Sequence, residues 1–374
     1  MPLTRRDLIR SVPLAAFAAR FSSPFAHADE GMIVRVRQPQ NLETPLSELP
    51  GVTTEKFYVR NHFAIPTMDP KSFRLTVVGH VANKLELSLD DLKKMEEVSR
   101  ENVLECAGNG RVFLVPAVRG AQWAHGAAGT AKWTGVPIGA ILERAKVKPG
   151  AVDVVLIGAD SGAIGDPPSP GVIHFDRAIP MSKAKKDESI LAWNMNDAPL
   201  TASHGAPLRA LIGGWYGMAS VKWLSRIVVT DRPHAGYWQT TDYSIWDRSG
   251  PTPQLVPVTA MEAKAVITSL GPDAVLALGK KETIRGLAWA GEQAVKTIEI
   301  STDGGKTWSP ASHPAGKPFA WTAWSAEITP SRKGTLSLVA RCTDDKGRTQ
   351  PTTRNSDRRT YMINHLVPVD VNVK

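Results

Sequence analysis

The sequence predicts an α+β protein in which a mixed α/β domain (residues 29–255) precedes an all-β, immunoglobulin-like sandwich (residues 256–374). The 374 residues are too many for one ordinary domain and enough for two domains with sizeable cores. A proline-rich break at residues 249–253, interpreted as a linker, divides the chain where the pattern changes. Strands, short helices and many loops precede the break, and closely spaced short strands with turn signals follow it.

Local patterns predict the elements of the first domain. Residues 73–79, 154–157 and 226–230 are apolar runs of strand length, and residues 89–95 begin with an acidic first turn that is typical of a helix. The loops between these elements are long, as expected where a large ligand is held.

Two hairpin patterns predict the second domain. Residues 297–301 and 307–308 flank the turn Asp303-Gly304-Gly305-Lys306, and residues 336–342 precede the similar turn Asp344-Asp345-Lys346-Gly347. Several such short strands in one stretch are typical of an immunoglobulin-like sandwich.

The composition is that of a globular protein with a mildly basic surface. Hydrophobic residues make up 42% of the chain and charged residues 22%, and the formal net charge is +9. Residues 1–28 hold four arginines and one aspartate, a net charge of +3, which leaves +6 for the rest. This charge suits an anionic substrate or an acidic partner, although an unremarkable basic surface explains it equally well. No nucleic acid is expected, because no run of basic residues and no basic–aromatic stripe accompanies the charge.

Residues 1–28 are typical of a twin-arginine export signal. Arg5-Arg6 precedes a short apolar run, and Ala26-His27-Ala28 then supplies the small residues that a signal peptidase requires. The mature protein would begin at Asp29 in the periplasm; an amphipathic N-terminal helix of the mature fold is the alternative. No membrane anchor is expected, since no stretch approaches about 18 uninterrupted apolar residues. Twin-arginine export carries folded proteins, often with a cofactor, and therefore hints at a prosthetic group.

The two cysteines need separate explanations, because two thiols in a chain of this size do not make a disulfide scaffold. Cys342 lies in an apolar, strand-like run and is most simply a small buried hydrophobic residue. Cys106 follows the strand-like residues 103–105 and precedes a glycine-rich turn, with Arg111 five residues later. That arrangement can hold a thiolate and present it to a ligand, although the pattern alone leaves an inert thiol possible.

Several familiar catalytic motifs are missing from the sequence. Gly108-Asn109-Gly110 lacks the third glycine of a dinucleotide-binding loop, and there is no Walker-type loop. The nine histidines lack the spacing of a zinc site, and no Cys-x-x-Cys-His motif is present to attach a c-type haem.

An ordered set of short segments is more specific than any one of its members. The segments are FYVRNH (57–62), LECAGNGR (104–111), GAQW (120–123), TAKWTGVP (130–137), LAWNMN (191–196), HGAPLR (204–209), VKWL (221–224), WQTTDY (238–243), GLAW (286–289) and STDGGKTW (301–308). The set resembles the sulfite oxidase family, whose members hold molybdenum through a pterin dithiolene and one protein cysteine. The resemblance implies a molybdopterin-binding first domain and a sandwich that forms a homodimer.

The resemblance also implies the residues that hold the cofactor. Cys106 is the expected molybdenum ligand, since a soft thiolate suits that metal. The pterin ends in a phosphate, which requires cationic and amide donors. The residues expected to bind the cofactor are Asn61, His62, Cys106, Asp160, His204, Arg209 and Lys222.

Sulfite is the implied substrate, and a small oxyanion suits the forked, permanently charged arginine side chain. The residues expected at the anion pocket are Arg60, Arg111, Trp123, Tyr243 and Arg359. Trp123 would form a wall, and the Tyr243 hydroxyl would reach the anion, with Tyr237 as the competing tyrosine.

The third arginine has an alternative, because the sequence departs here from the family pattern. Family members often have an aromatic residue and asparagine where this chain has Ser356-Asp357, and some bacterial members have arginine where Ile363 stands. Arg359 is the predicted residue and Arg358 the alternative.

The implied reaction is oxygen-atom transfer that converts sulfite to sulfate, after which two electrons leave one at a time. The sequence shows no haem-binding domain, so the expected acceptor is a separate c-type cytochrome and the enzyme a dehydrogenase. Two other readings stay open: a reductase of nitrate or a sulfoxide with the same cofactor, and an exported binding protein in which Cys106 is inert. Metal analysis separates the last from the others, because a binding protein would purify without molybdenum.

The export signal makes the first testable prediction. Replacing Arg5 and Arg6 together with lysine should leave the precursor in the cytoplasm, because the twin-arginine pair is the element that the exporter recognises. Cell fractionation measures this, and N-terminal sequencing of the wild-type periplasmic form should begin at Asp29. Normal export of the double-lysine variant, or a start well away from Asp29, would contradict the interpretation.

Overall fold

Strands dominate the fold, which this computed structural model describes over residues 31–374. The export signal predicted at residues 1–28 lies outside the described residues. The helices are Leu89–Lys93 (α1), Ile138–Ala145 (α2) and Met181–Ala184 (α3). No helix within residues 31–374 is both long and apolar enough to cross a membrane.

The strands fall into two groups along the chain. Those before residue 250 are Ile33–Val36 (β1), Asn41–Glu43 (β2), Leu75–Gly79 (β3), Leu85–Leu87 (β4), Val98–Glu105 (β5), Ala128–Pro137 (β6), Asp153–Gly162 (β7), Ile173–Pro180 (β8), Ser189–Met195 (β9), Ala198–Pro199 (β10), Arg209–Ile212 (β11), Leu224–Thr230 (β12) and Ser244–Asp247 (β13). Those after it are Gln254–Pro257 (β14), Lys264–Ile267 (β15), Val275–Leu276 (β16), Glu282–Trp289 (β17), Val295–Ser301 (β18), Ser309–Pro310 (β19), Thr322–Ile328 (β20), Gly334–Asp344 (β21) and Val369–Val373 (β22).

Two larger sheets form the core of the first domain, one mixed and one antiparallel. One sheet has the order β4-β3-β12-β7-β8, in which only the β3–β12 pair is parallel. The other has the order β10-β9-β6-β5, and β11 also pairs with β9. Helix α2 buries Ile138, Ile141 and Leu142 in the core between these elements. The strands predicted at residues 73–79, 154–157 and 226–230 are confirmed as parts of β3, β7 and β12.

The predicted helix at residues 89–95 is confirmed as α1, and its start has a local cause. Ser88 accepts a hydrogen bond from the backbone nitrogen of Asp91, while the Asp91 carboxylate accepts from the Ser88 backbone. This capping box satisfies donors that the first helical turn leaves free.

The second domain is a sandwich, as predicted. Its sheets are β15-β17-β20 and β16-β22-β21-β18-β19, and Ile284, Ile298, Trp324 and Leu338 meet in the core between them. The hairpin of β18 and β19 turns at Asp303, whose carboxylate accepts hydrogen bonds from the backbone of the next residues. The α+β class of two successive domains is therefore confirmed.

Strand β15 and the end of β17 are buried on both faces, and this arrangement joins the two domains. Along β17, Ile284 and Ala288 point into the sandwich core, whereas Leu287 and Trp289 belong to the core of the first domain. Successive side chains of a strand point to opposite faces, so one sheet serves two cores.

One expectation about the domain junction changes in the structure, and one further contact between the domains is found there. The proline-rich residues 249–253, predicted as a linker, instead form the turn of the hairpin β13–β14. The end of the second domain also returns to the first, where the Met362 backbone nitrogen donates to the Ala107 carbonyl oxygen at 2.7 Å. Prolines suit a hairpin turn as well as a linker, so composition alone does not distinguish the two.

The close approach of β6 and β9 predicts an intolerant glycine. A Cβ atom on Gly135 would lie 1.8 Å from the Leu191 carbonyl oxygen, whereas one on Gly139 in α2 would meet nothing closer than 3.7 Å. Gly135→Ala should therefore lower the free energy of unfolding by about 1–3 kcal/mol. Gly139→Ala should leave it unchanged or raise it by up to about 1 kcal/mol. Urea unfolding compares the two variants, and equal midpoints would contradict the predicted packing of β6 on β9.

Candidate active site

A cavity of about 660 Å³ opens beside Cys106 in the first domain. That figure includes space that is open to solvent, and the enclosed part of the cavity is smaller. The sequence-predicted residues that line it are Arg60, Asn61, His62, Cys106, Asp160, His204, Arg209, Lys222 and Tyr243. The fold thus brings together nine side chains that lie far apart in the sequence.

Cys106 is held at the end of β5, as its position after residues 103–105 predicted. Its backbone nitrogen donates to the Ala127 carbonyl oxygen at 2.8 Å, and its own carbonyl oxygen accepts from the Asn109 backbone at 2.8 Å. The next turn brings Arg111 close, since a Cβ atom on Gly108 would lie 2.1 Å from that guanidinium. A larger residue at position 108 would therefore have to displace the Arg111 guanidinium from its hydrogen bonds.

Two buried cations form one side of the cavity. Lys222 donates to the Asn61 side-chain oxygen and, at 2.8 Å, to the Ser203 carbonyl oxygen. Arg209 donates to the carbonyl oxygens of His204 at 3.0 Å and Ser220 at 3.1 Å. Within residues 31–374 neither cation is within 4.0 Å of a carboxylate oxygen. Burial lowers the pKa of Lys222 well below its usual value and that of Arg209 to about 10, because the charged form of each side chain loses its hydration.

Asp160 and His204 complete this cationic side. Asp160 is buried, and one carboxylate oxygen has no hydrogen-bond partner among the described residues. Burial raises the pKa of Asp160 to about 6, against the opposing effect of Lys222. Burial likewise lowers the pKa of His204 to about 3, so its imidazole is neutral. An unpartnered buried carboxylate oxygen indicates a missing donor, and two unpaired cations indicate a missing anion.

His62 and Tyr243 also line the cavity and contact each other. The His62 Nε2 and the Tyr243 hydroxyl lie 2.7 Å apart, and the imidazole stacks on Phe175 with centroids 4.6 Å apart. Burial lowers the pKa of His62 and raises that of Tyr243, so the pair consists of a neutral imidazole and a protonated phenol. The competing Tyr237 does not line the cavity, because its hydroxyl donates to the Pro167 carbonyl oxygen at 2.7 Å.

Arg60 and Arg111, two of the arginines predicted for the anion pocket, differ in position. Arg60 lines the cavity and donates to the Asn41 side-chain oxygen at 3.2 Å. Arg111 lies behind the wall, where it donates to the Thr360 hydroxyl at 2.7 Å and to the Ala121 carbonyl oxygen at 2.8 Å. Burial lowers the pKa of Arg111, and the adjacent Cys106 thiol opposes that change. Arg111 is therefore close enough to Cys106 to interact with it electrostatically.

Trp123 and Arg359 are not among the residues that line the cavity. Trp123 is fully buried in the core cluster that contains Cys106. Arg359 donates to the carbonyl oxygens of Thr241 and Ser244, both at 3.1 Å, and so supports the segment that leads to Tyr243. The alternative, Arg358, forms an ion pair with Glu262. Their expected contacts with substrate remain predictions.

Arg177 and Tyr361 contact Tyr243 from behind the cavity lining, and the sequence did not predict them. Arg177 is fully buried, donates to the Val258 carbonyl oxygen at 2.9 Å and lies 5.9 Å from the Tyr243 ring. The ring of Tyr361 lies 4.9 Å from that of Tyr243, and its hydroxyl donates to Asp242 at 2.6 Å. A charged residue inside the otherwise apolar end of β8 was the signal for Arg177; no local pattern singles out Tyr361.

Comparisons with known proteins agree with this site. Residues 62–238 match the family described as oxidoreductase molybdopterin binding domain, and residues 256–374 match the Mo-co oxidoreductase dimerisation domain. The chain is 32% identical to the mitochondrial sulfite oxidase of Drosophila melanogaster over 342 residues, which are 84% of this chain and 58% of that protein. It is also 32% identical to the sulfite oxidase of Gallus gallus over 351 residues, covering 86% of this chain and 73% of the relative.

A solved structure extends the similarity to the whole chain. The sulfane dehydrogenase SoxCD from Paracoccus pantotrophus superimposes with a TM-score of 0.79 at 25% sequence identity, covering 98% of this chain and 96% of that one. The chain spans about three fifths of the length of the Drosophila relative, so the activity of such a longer protein is not transferred with the fold. Family matches in both domains and a cysteine beside a cationic cavity lead to one conclusion: the chain belongs to the sulfite oxidase family of molybdenum oxidoreductases, and its cofactor is molybdopterin-bound molybdenum.

Proposed function

We propose that this protein is a periplasmic sulfite dehydrogenase, which oxidises sulfite to sulfate and passes the electrons to a separate c-type cytochrome. The observation that carries the proposal is the cavity in which the Cys106 thiol faces the same space as Arg60 and the hydroxyl of Tyr243. The names of its relatives, sulfite oxidases of animals, support the choice of substrate.

The residues of the cavity fit the cofactor. Cys106 is the metal ligand, and Lys222 and Arg209 are the cations for the phosphate, because neither has a carboxylate partner among the described residues. The unpartnered oxygen of Asp160 can accept a hydrogen bond from a ring N–H of the pterin. When bound, molybdenum supplies the oxygen-atom transfer and the two-electron redox change of the reaction.

The chain's own residues bind and orient the anion. Arg60 offers a forked, permanently charged donor at the cavity wall, and Arg111 adds positive potential from behind it. Tyr243 stays protonated and can donate its hydroxyl proton in a hydrogen bond, while neutral His62 holds the phenol oxygen in place. Preorganised donors of this kind lower the barrier without having to rearrange during the reaction.

The electrons must leave these 374 residues for another redox group. The sequence has two cysteines and no Cys-x-x-Cys-His motif, so it attaches no c-type haem. A separate cytochrome that docks transiently is therefore the proposed acceptor. The twin-arginine pattern supports the periplasm as the compartment, and the matched dimerisation domain supports a homodimer.

A second candidate substrate is favoured by one observation. The solved structure that covers nearly the whole chain is named a sulfane dehydrogenase. A sulfane sulfur could replace sulfite as the oxidised group at the same cavity, with the same electron acceptor.

Steady-state kinetics with oxidised cytochrome c, or with ferricyanide, test the proposal. The purified protein should contain molybdenum and turn over with sulfite, and much more slowly with a sulfane substrate or, in the reductive direction, with nitrate. Molybdenum-loaded protein that oxidises the sulfane and leaves sulfite untouched would replace the first candidate with the second.

The thiol ligand gives a direct prediction. Cys106→Ser should abolish sulfite oxidation, because a hydroxyl is a poor substitute for a soft thiolate ligand. It should leave the thermal midpoint of the protein within a few degrees, because the smaller hydroxyl fits in the place of the thiol. Cys342→Ser is the control: Cys342 is buried in the sandwich core, so stability can fall while turnover per molybdenum is kept. Substantial turnover by the Cys106 variant would contradict the assignment.

The arginines give a graded prediction. Arg60→Gln should lower kcat/KM for sulfite by roughly 10- to 150-fold, since a charge-assisted hydrogen bond contributes about 1.5–3 kcal/mol. Arg359→Gln should lower it less, because that guanidinium contacts protein carbonyls. Arg358→Gln should affect stability through Glu262 and leave kcat/KM unchanged. A loss with Arg359→Gln as large as that with Arg60→Gln would show that Arg359 also contacts the anion.

A further inference from the structure

Glu105, the residue before Cys106, has a buried carboxylate that is held from three directions. Its Oε1 accepts hydrogen bonds from Lys264 Nζ at 2.8 Å and from Asn109 Nδ2 at 3.0 Å. Its Oε2 accepts from Trp289 Nε1 at 2.9 Å. The side chains of Glu105 and Lys264 are only 2% and 4% exposed, so water does not compete for these bonds.

Two of these three donors come from the second domain. Lys264 begins β15, Trp289 ends β17, and the two residues are direct partners across that strand pair. Both side chains leave the sheet on the face that packs against the first domain. The sandwich therefore presents an ammonium group and an indole N–H, side by side, to one carboxylate next to the thiol.

Asn109 connects Lys264 to Cys106 through hydrogen bonds. Its carbonyl oxygen accepts from Lys264 Nζ at 3.0 Å, and its backbone nitrogen donates to the Cys106 carbonyl oxygen at 2.8 Å. Its side-chain oxygen accepts from the Ala127 backbone at 3.1 Å, and Ala127 in turn accepts the Cys106 backbone N–H. Every connection from Lys264 to the backbone of Cys106 is a hydrogen bond of ordinary length.

We propose that Lys264 and Trp289 are positioning residues for Cys106, which fix the turn at residues 106–109 so that the thiolate is presented to molybdenum in one geometry. The sandwich domain then completes the cofactor site of the same chain, in addition to any role in dimerisation. This inference rests on Cys106 as the metal ligand and does not depend on which substrate is oxidised.

The test must separate positioning from stability, because removing one member of a buried ion pair leaves the other charge without compensation. Lys264→Met alone is therefore compared with Glu105→Gln/Lys264→Met, in which no buried charge is left. Lys183→Met is the matched control: Lys183 is 8% exposed and also joins the domains, through Glu292 at 2.6 Å, but does not contact the cysteine turn.

Three quantities are measured on each full-length protein as purified: molybdenum per chain, kcat per bound molybdenum, and the thermal midpoint. In Lys264→Met and in the double variant, molybdenum per chain or kcat per molybdenum should fall by roughly 10- to 100-fold, as for other groups that orient a metal ligand. The double variant should recover thermal stability without recovering either value. Lys183→Met should lower the thermal midpoint and keep both at the wild-type level.

One result overturns the proposal: a double variant with wild-type molybdenum content and wild-type kcat per molybdenum, which would make the ion pair structural only. If neither Lys264 variant folds, Trp289→Phe decides, because it removes the indole N–H bond to Glu105 and adds no buried charge, although it also leaves a small cavity. Unchanged molybdenum content and turnover in that variant overturn the proposal, and a fall in either supports it. If wild-type protein does not oxidise sulfite, the proposed substrate has failed, and molybdenum content still tests the role of Lys264.

Discussion

The buried ion pair of Glu105 and Lys264 is the contact on which the arrangement of the site depends. Removing two charges from water is costly unless each has a partner and its remaining hydrogen-bonding capacity is used. Here the carboxylate accepts three hydrogen bonds and the ammonium group donates two, across the boundary between the domains. The end of β5 and the start of β15 must therefore stay within hydrogen-bond distance, and the cysteine turn lies between them.

The lining of the cavity has more positively charged than negatively charged side chains. Arg60, Arg209 and Lys222 line it, and Asp160 is the carboxylate among the lining residues. Burial keeps the histidines neutral and the tyrosine protonated, so the net charge of the lining is positive. An anionic cofactor and an anionic substrate both relieve the cost of this arrangement, because they supply the counter-charge that the protein omits.

The C-terminal segment of the second domain contacts residues of the site in the first domain. Thr360 accepts hydrogen bonds from Arg111, Tyr361 stacks on Tyr243, and Met362 donates its backbone N–H to Ala107. Arg354 donates to the Met362 carbonyl oxygen at 2.7 Å and holds this loop from the side of the sandwich. A segment placed by the second domain thus supports both the thiol turn and the tyrosine of the first.

The sequence by itself determined what local patterns encode: the strands β3, β7 and β12, the capped helix α1, the hairpins of the sandwich, and a cysteine at the end of a strand before a glycine-rich turn. The ordered family segments contain eight of the predicted residues that line the cavity, and the same resemblance suggested the ninth, Asp160, which lies outside those segments. Only the tertiary structure decided that Tyr243 rather than Tyr237 faces the cavity, that Arg111 and Trp123 lie behind it, and that Lys264 reaches the cysteine turn. The physical reason is that the residues in these contacts are far apart in the sequence, so no local pattern relates one to the other. Periodicity predicts which face of its own strand a side chain occupies, but the partner of Glu105 is 159 positions away and is set by how two sheets pack.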